Sequence, residues 1–399
     1  MIGIIFWLSV LGIFYVYAGY PLILTLLARL RSPTAPYKPE TPNVTLLIAA
    51  YNEENVIAAK LENSLDLDYP SDRLQILVAA DGSDDRTVGI VQSFASHGVE
   101  LSYQPVRCGK MAAINRAIPQ VRHEILVFSD ANNFYEESTL RELAKPFSDP
   151  QVGAVAGSKN VVKEDGVFGE TDSLYWRYES YIKQQETRLG SCTGVSGEVF
   201  AIRRNLFESP PDSVINDDFF LALSIIQKGY RIVYAPQARS REYVSSNERD
   251  EIVRRARIIA GRYQAMGMSI RSLPYRRPLI VWQVVSHKYL RPLVPFMMIV
   301  AFLANMITLI WDYPVESLPM LSLAAPFNWL FFLLQIVFYF LAWLGAQVTY
   351  RGSLGKLLYL PTFLVNSNYA ALLGFYNYIT GKSTVIWEKA PRRSRPLNK

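Results

Sequence analysis

The sequence predicts a parallel, doubly wound α/β domain set between apolar helices that cross a membrane. Three observations carry this. The strand-like stretch 74–80, apolar but for Gln75, and the apolar run 125–128 switch abruptly to polar residues, closing on the carboxylates Asp81 and Asp130. Continuous apolar runs suit strands covered on both faces, as in parallel sheets. Strand-like runs alternate with helix-like segments four times up to Asp130, the rhythm of βαβ units. Long uncharged stretches lie near both ends of the chain, and roughly 20 apolar residues suffice for a spanning helix. Ligands in open α/β sheets bind outside the carboxyl ends of strands. Asp81 and Asp130 are therefore expected to share one site, with Asn132 two residues beyond.

Residues 1–28 carry no charged side chain. A cleaved signal peptide would show basic residues ahead of a shorter run and a small-residue cleavage site; none is evident, so a retained anchor is expected. Arg29 and Arg31 follow directly and place the next segment in the cytosol by the positive-inside rule. Residues 292–311 form a second uncharged span, and 317–350 hold a third, with Asp312 and Glu316 between them. Residues 357–381 are uncharged too, but contain Pro361, Asn366, Ser367 and Asn368 and have basic residues on both sides. That favours a re-entrant or interfacial hairpin, with a polar fourth spanning helix as the alternative. The expected plan is an anchor at 1–28, a linker at 29–43 stiffened by Pro33, Pro36, Pro39 and Pro42, a soluble domain at 44–245, basic interfacial helices at 246–290, a membrane region at 291–381 and a basic tail at 382–399.

The formal charge of +6 over 399 residues calls for no nucleic acid, because the basic residues cluster beside the apolar spans, where anionic lipid headgroups meet them. The two cysteines, Cys108 and Cys192, are too few for a disulfide framework and are expected reduced. His97, His123 and His287 lack metal-ligand spacing and read as packing or surface residues.

Within the soluble part, residues 44–51 read as a strand, and Asn52-Glu53-Glu54 as the opening of a helix that runs to about Leu65. After Asp81, Gly82 turns the chain towards a helix that Ser83 or Asp84 would cap. Residues 101–106 form a short strand, Gly109-Lys110 starts a helix stopped by Pro119, and the Asp130 strand follows. Beyond it come a strand at 152–156, an aromatic helix with Trp176 and Tyr178, the small-residue loop Gly194-Val195-Ser196-Gly197 and a strand at 199–202. Asn216-Asp217-Asp218 precedes an amphipathic helix closed by Gly229, and a last strand covers 230–234. Ser245 and Glu248 form a capping box for a long basic helix on which Arg254, Arg257 and Gly261 share a face.

Seven stretches appear in fixed order: AYNEE at 50–54, ADGSDDRT at 80–87, GKMAAIN at 109–115, SDANN at 129–133, VSGEVFAIRR at 195–204, NDD at 216–218 and RRARIIAGRYQ at 254–264. Together they resemble the family 2 glycosyltransferases, membrane enzymes of the cellulose synthase and hyaluronan synthase type. The resemblance implies an α/β GT-A fold with flanking transmembrane helices, a nucleotide-sugar donor, usually a uridine diphosphate sugar, a divalent metal (Mg²⁺ or Mn²⁺) and inversion at the anomeric carbon. It implies an integral membrane protein with its catalytic domain in the cytosol, acting on a glycan or lipid-linked acceptor.

Carried over by position, the resemblance assigns Tyr51, Glu53, Asp81, Lys110, Asp130, Ala131 and Arg257 to the donor. It assigns Gly194, Ser196, Gly197, Asp217 and Arg254 to the acceptor side, Asp130 and Asn132 to the metal, and Asp218 to the general base. The chemistry asks for these types: a diphosphate leaving group gathers negative charge that a carboxylate-held cation neutralises. Inversion needs one base and no covalent intermediate. Taken alone, Asp217 and Asp218 read as a helix N-cap pair; the ordered set of motifs turns the reading of Asp218 to the base. Two positions depart from the family: Asn132 stands where the second metal-binding Asp is usual, and Arg254 and Ile258 replace the Gln and Trp of QxxRW. Without that Trp to stack on the acceptor, single additions or short products are expected. Alternatives are single transfer to a lipid, or an inactive scaffold or transporter.

Overall fold

The computed structural model describes residues 1–32, 37–38, 40–162, 167–211, 213–243, 248–311, 318–347 and 353–382. Pro33, Pro36 and Pro39 of the linker, Ser245 of the capping box and nearly all of the basic tail lie outside these residues.

The strands are β1 (Val44–Ala50), β2 (Leu74–Asp81), β3 (Val99–Gln104), β4 (Ile125–Asp130), β5 (Asn133–Tyr135), β6 (Val152–Val162), β7 (Phe200–Arg203) and β8 (Arg231–Tyr243). They form one sheet in the order β3-β2-β1-β4-β7-β6-β8-β5. β1 pairs in parallel with β2 and β4, and β2 with β3, as the strand–helix alternation predicts. Period-two alternation splits β1 between two apolar layers. Leu46 and Ile48 pack with Ile57, Leu61 and Val91, whereas Leu47 packs with Leu77, Ile114 and Phe128 on the other face.

The remaining half of the sheet is mixed, which corrects the expectation of a parallel sheet throughout. β7 runs antiparallel to β4 and to β6, β5 antiparallel to β8, and only β6 and β8 are parallel. The cause is the return of the chain after the aromatic helix Val167–Leu189. There Cys192 N–H bonds to the Ile232 carbonyl and Gly157 N–H to the Val199 carbonyl, both at 2.8 Å, so β7 enters against its neighbours. An antiparallel pair needs no helical crossover.

Two local expectations also change. The helix foreseen from Asn52 begins at Ile57, because Asn52 takes a positive φ of 51° and the residues after it form a turn. Neither Ser83 nor Asp84 caps the Thr87–Ser93 helix. Asp85 Oδ1 accepts from Thr87 N–H at 2.9 Å, while Ser83 Oγ accepts from Asn52 N–H and Asp84 from the Asn52 amide. Ser83 and Asp84 thus fasten the two loops together.

Three helices are long and apolar enough to cross a membrane: Ile2–Arg29, Pro278–Ile310 and Phe327–Gln347. Phe6 of the first packs with Ala301 and Ala304 of the second. Further along, Tyr20 and Leu24 meet Ile182 and Leu189 of the aromatic helix. Residues 357–381 form no hairpin: nearly all of them lie in one continuous helix, Ser353–Ile379, with Pro361 inside. Neighbours take up its polar groups. Thr362 Oγ1 donates to the Ala342 and Leu358 carbonyls, and Asn368 Nδ2 to Tyr17 Oη. Its Gly374 presses against Ala256 and Ala260 of the basic helix Glu248–Ser269.

Candidate active site

The strand order reverses at β1 and β4, since β1, β2 and β3 wind one way and β4 returns to the other side of β1. Such a switch point leaves a crevice beyond the strand ends. Here it brings Tyr51, Glu53, Asp81, Lys110, Asp130, Ala131 and Asn132 together around one space. All but one of the expected donor residues therefore line one space.

Their carboxylates are held from the backbone outward. Asp81 accepts from the N–H groups of Cys108 and Gly109 at 2.8 and 2.7 Å, which ties the loop before the Lys110–Ala117 helix to the end of β2. Gly82 has φ of +61°, and a Cβ there would lie 2.4 Å from the Arg107 nitrogen; only glycine lets this loop close. The closed loop lays the Arg107 guanidinium 3.8 Å from the centre of the Tyr51 ring, a flat cationic wall of the crevice. Arg107 was not foreseen; its one signal is its place just ahead of Gly109-Lys110.

Lys110 Nζ pairs with Asp130 Oδ1 at 2.6 Å. Burial works against the Lys110 charge, but Asp130 and then Asp217 outweigh it and hold the ammonium above its usual range. Asn132 Nδ2 donates to Glu242 Oε1 at 2.9 Å. Glu242 in turn pairs with the buried Lys159, which also meets Glu198 at 2.6 Å. An aspartate at 132 would face Glu242 with like charge, which accounts for the amide at this position. Among the described residues no three His, Cys, Asp or Glu groups converge on a metal position. One carboxylate and one amide oxygen nevertheless fit Mg²⁺ or Mn²⁺, which are held by one or two protein groups plus substrate phosphates and water.

Beneath this turn lies Lys60, fully buried, its Nζ 2.5 Å from the Asn133 carbonyl and 4.3 Å from the Tyr135 ring centre. Burial pushes it down to about 7, with Asp130 acting in the opposite direction. The helical spacing of Ile57, Lys60, Leu61 and Ser64 places Lys60 on the inward face, a signal present in the sequence and not used.

Asp218 sits in the first turn of the Asp217–Gln227 helix. Its Oδ1 accepts from Phe219 N–H at 2.7 Å, and a Cβ on Gly197 would come within 3.3 Å of its Cβ. Burial and then the charge of Asp217 raise its carboxyl to about 6, with Lys288 partly offsetting them. A half-buried carboxylate in this range is well matched to accept a proton near neutral pH. The Glu248–Ser269 helix docks on the same turn: Asn216 Nδ2 donates to the Ile258 carbonyl at 2.9 Å, and a Cβ on Gly261 would meet Asn216 at 2.6 Å. Arg257 thereby bridges both halves of the site. Burial lowers its basicity, whereas Asp217, Asp218 and Asp130 favour its charge. Arg254 lies close enough to act on Arg257, Lys159 and Glu242.

Ser196 closes the turn between the acceptor loop and Val199, but Gly194 faces elsewhere. A Cβ on it would lie 3.1 Å from Lys183 Cε and 3.2 Å from His287 Cε1. His287 is buried between Glu186 (2.8 Å) and Glu179 (3.1 Å), and Arg291 also pairs with Glu179. The Tyr20 hydroxyl donates to Glu186 at 2.6 Å. Sequence reading missed this cluster, along with Lys159 and Glu198, because its members lie far apart along the chain. Burial would raise the Glu198 carboxyl, yet Lys159 holds it down to about 2.

A family model described as "Glycosyltransferase like family 2" matches residues 42–261. Over 206 residues the chain is 26% identical to the poly-beta-1,6-N-acetyl-D-glucosamine synthase of Staphylococcus aureus strain MSSA476, which covers 50% of this chain and 49% of that protein. The corresponding Staphylococcus epidermidis synthase is 24% identical over 205 residues, with the same shares. The chain thus spans about half the length of the curated relatives it matches. Among solved structures, a mannosyltransferase from Pyrobaculum calidifontis in complex with GDP-Man and Mn2+ shares the fold. Its TM-score is 0.69 at 23% identity, covering 96% of this chain and all of that one. The family match takes in more than half of the chain, from β1 to the helix that carries Arg257, and the protein belongs to glycosyltransferase-like family 2.

Proposed function

We propose that this protein is an inverting, metal-dependent glycosyltransferase. It moves a sugar from a nucleotide-sugar donor, most simply a UDP-sugar, to a hydroxyl of a glycan or lipid-linked acceptor at the cytosolic face of a membrane. The observation that carries the reading is that the crevice carboxylate Asp130 and the half-buried pair Asp217 and Asp218 all lie within electrostatic reach of Arg257. In one displacement Asp218 takes the acceptor proton, the acceptor oxygen bonds to the anomeric carbon, and the bond to the diphosphate oxygen breaks with nucleoside diphosphate leaving. Asp130 and Asn132 would hold the cation, which supplies charge neutralisation to the departing diphosphate. Lys110 and Arg257 add fixed positive charge to the same group, and Arg107 with Tyr51 offers a face to the base. A membrane position is supported by the three apolar helices. Production of a polysaccharide is supported by the likeness to the staphylococcal synthases over half their length. The test is a screen of nucleotide sugars against purified full-length protein, scoring release of nucleoside diphosphate with and without acceptor. No release from any donor would remove this reading.

A further inference from the structure

Behind the 194–197 loop the structure gathers three cations that no carboxylate among the described residues pairs or hydrogen-bonds with directly. Lys183 is only 6% exposed, and its ammonium meets the Tyr234 ring at 5.3 Å. The Lys288 ammonium lies 5.9 Å from the Phe219 ring, beside Asp218. Among the described residues neither ammonium has a hydrogen bond or ion pair, and the same is true of the Arg262 guanidinium on the facing helix. Lys183 and Arg262 both stand within electrostatic reach of Lys288. Arg291, one turn along, has its Nη2 buried without a partner. Of the nearby acids, Glu179 is paired with His287 and Arg291, Glu186 is held by His287, Tyr20 and Thr193, and Asp218 is the expected base, within electrostatic reach of Lys288.

Lys183 is buried and Lys288 and Arg262 are half-buried; charge drawn from water without a directly paired partner is costly, which suits the cluster to an anion from outside. Position says which one. A Cβ on Gly194 would meet Lys183 and, three residues on, one on Gly197 would meet Asp218, so the 194–197 loop runs from beside the lysine to beside the base. The donor crevice lies on the other side of Asp218 and has its own cations, Lys110 and Arg107. Lys288 and Arg291 belong to the helix Pro278–Ile310, long and apolar enough to span a membrane. Ionisable groups in such helices face the protein interior and mark substrate paths.

We propose that Lys183, Lys288 and Arg262 form an anion subsite for the acceptor, holding a phosphate or carboxylate beside the hydroxyl that Asp218 deprotonates. This rests on the glycosyltransferase reading above. The anion has two possible sources, the phosphate of a lipid-linked sugar or the carboxylate of an acidic sugar. The test uses full-length protein in detergent with two matched acceptor pairs. One pair is a monosaccharide joined to a short alkyl chain through diphosphate, and its neutral alkyl glycoside. The other is a disaccharide ending in hexuronic acid, and its neutral hexose counterpart. At least one anionic member should have a KM about tenfold or more below its neutral partner, as expected for a hydrogen-bonded charge. Lys288→Gln should erase that preference and Lys288→Arg restore it, with nucleotide binding unchanged as the control for folding. The pair that shows the preference identifies the source. Equal use of both members in both pairs, or a preference that survives Lys288→Gln, would overturn the subsite. Stabilisation against heat by the anionic alkyl diphosphate, lost in Lys288→Gln, is measured without turnover. If that binding persists while no donor is consumed, the transferase reading has failed and the subsite stands.

Discussion

The donor crevice and the acceptor side are built in different ways. The crevice is assembled from short, nearly contiguous stretches at the ends of β1, β2 and β4, and its strands pair in parallel with unbroken register. Asp81 is fixed by the N–H groups of Cys108 and Gly109, and Asp130 by Lys110 of the helix that follows them. The acceptor side draws on residues 183, 194–197, 217–218, 254–262 and 288, which meet only because the mixed half of the sheet and the membrane helices pack together. The first region stands on local geometry, which the sheet enforces. The second stands on long-range contacts, so single changes there should uncouple function from folding more readily.

Chelation should have the largest effect. If Asp130 carries the diphosphate charge through a cation, EDTA abolishes turnover and Mn²⁺ or Mg²⁺ restores it, while the melting temperature barely moves because Lys110 lies within ion-pair distance of Asp130 and balances its charge. Full turnover in chelator would strip the crevice of its assigned chemistry.

Next in size is Asp218→Asn, which preserves an oxygen for Phe219 N–H but removes the proton acceptor. General-base catalysis contributes roughly 10²–10⁴-fold, and kcat should fall on that scale with donor binding intact. The carboxyl is raised to about 6, so its ionised form is disfavoured by the fold and the variant should melt no lower than the parent at pH 7. By the same sign, wild-type kcat should drop below about pH 6 as Asp218 takes up its proton, and this limb should be missing from the residual activity of the variant. A variant that unfolds yet keeps activity in proportion to its folded fraction would return Asp218 to a capping role.

Smaller again is Gly261→Ala, which drives a methyl into Asn216 at 2.6 Å. Overpacking of this kind costs about 1–3 kcal/mol. Its mark should be loss of transfer to acceptor with nucleotide affinity nearly unchanged, since the β1/β4 crevice lies elsewhere. Equal loss of both would show that the two regions are not separable.

The subtlest readout is product size. Ile258 offers no aromatic face, and nearby aromatics are committed to packing. Trp282 Nε1 donates to Tyr15 Oη at 2.7 Å, the Tyr178 hydroxyl to the Tyr17 carbonyl at 2.8 Å, and the Trp176 ring packs edge-on against Tyr175 at 5.6 Å. With acceptor in large excess, early products should be short or single additions. Long chains beside untouched acceptor would mean the acceptor side grips a growing polymer by other means.

Much of this protein was legible in its sequence. Apolar runs closing on Asp81 and Asp130, glycine where the chain must turn with positive φ, and uncharged spans of membrane length are all local signals. A strand buried on both faces, a left-handed turn and a bilayer each impose their demand on consecutive residues. The parallel half of the sheet, the crevice and the long apolar helices could therefore be read directly. Tertiary structure alone decided the rest. It reversed β7, made 353–379 one helix by giving Asn368 and Thr362 partners on neighbouring helices, set Asn132 against Glu242, and gathered Lys183, Arg262 and Lys288 behind Asp218. These outcomes depend on which distant groups satisfy a buried charge or hydrogen bond, and that pairing is fixed by packing in space rather than by order along the chain.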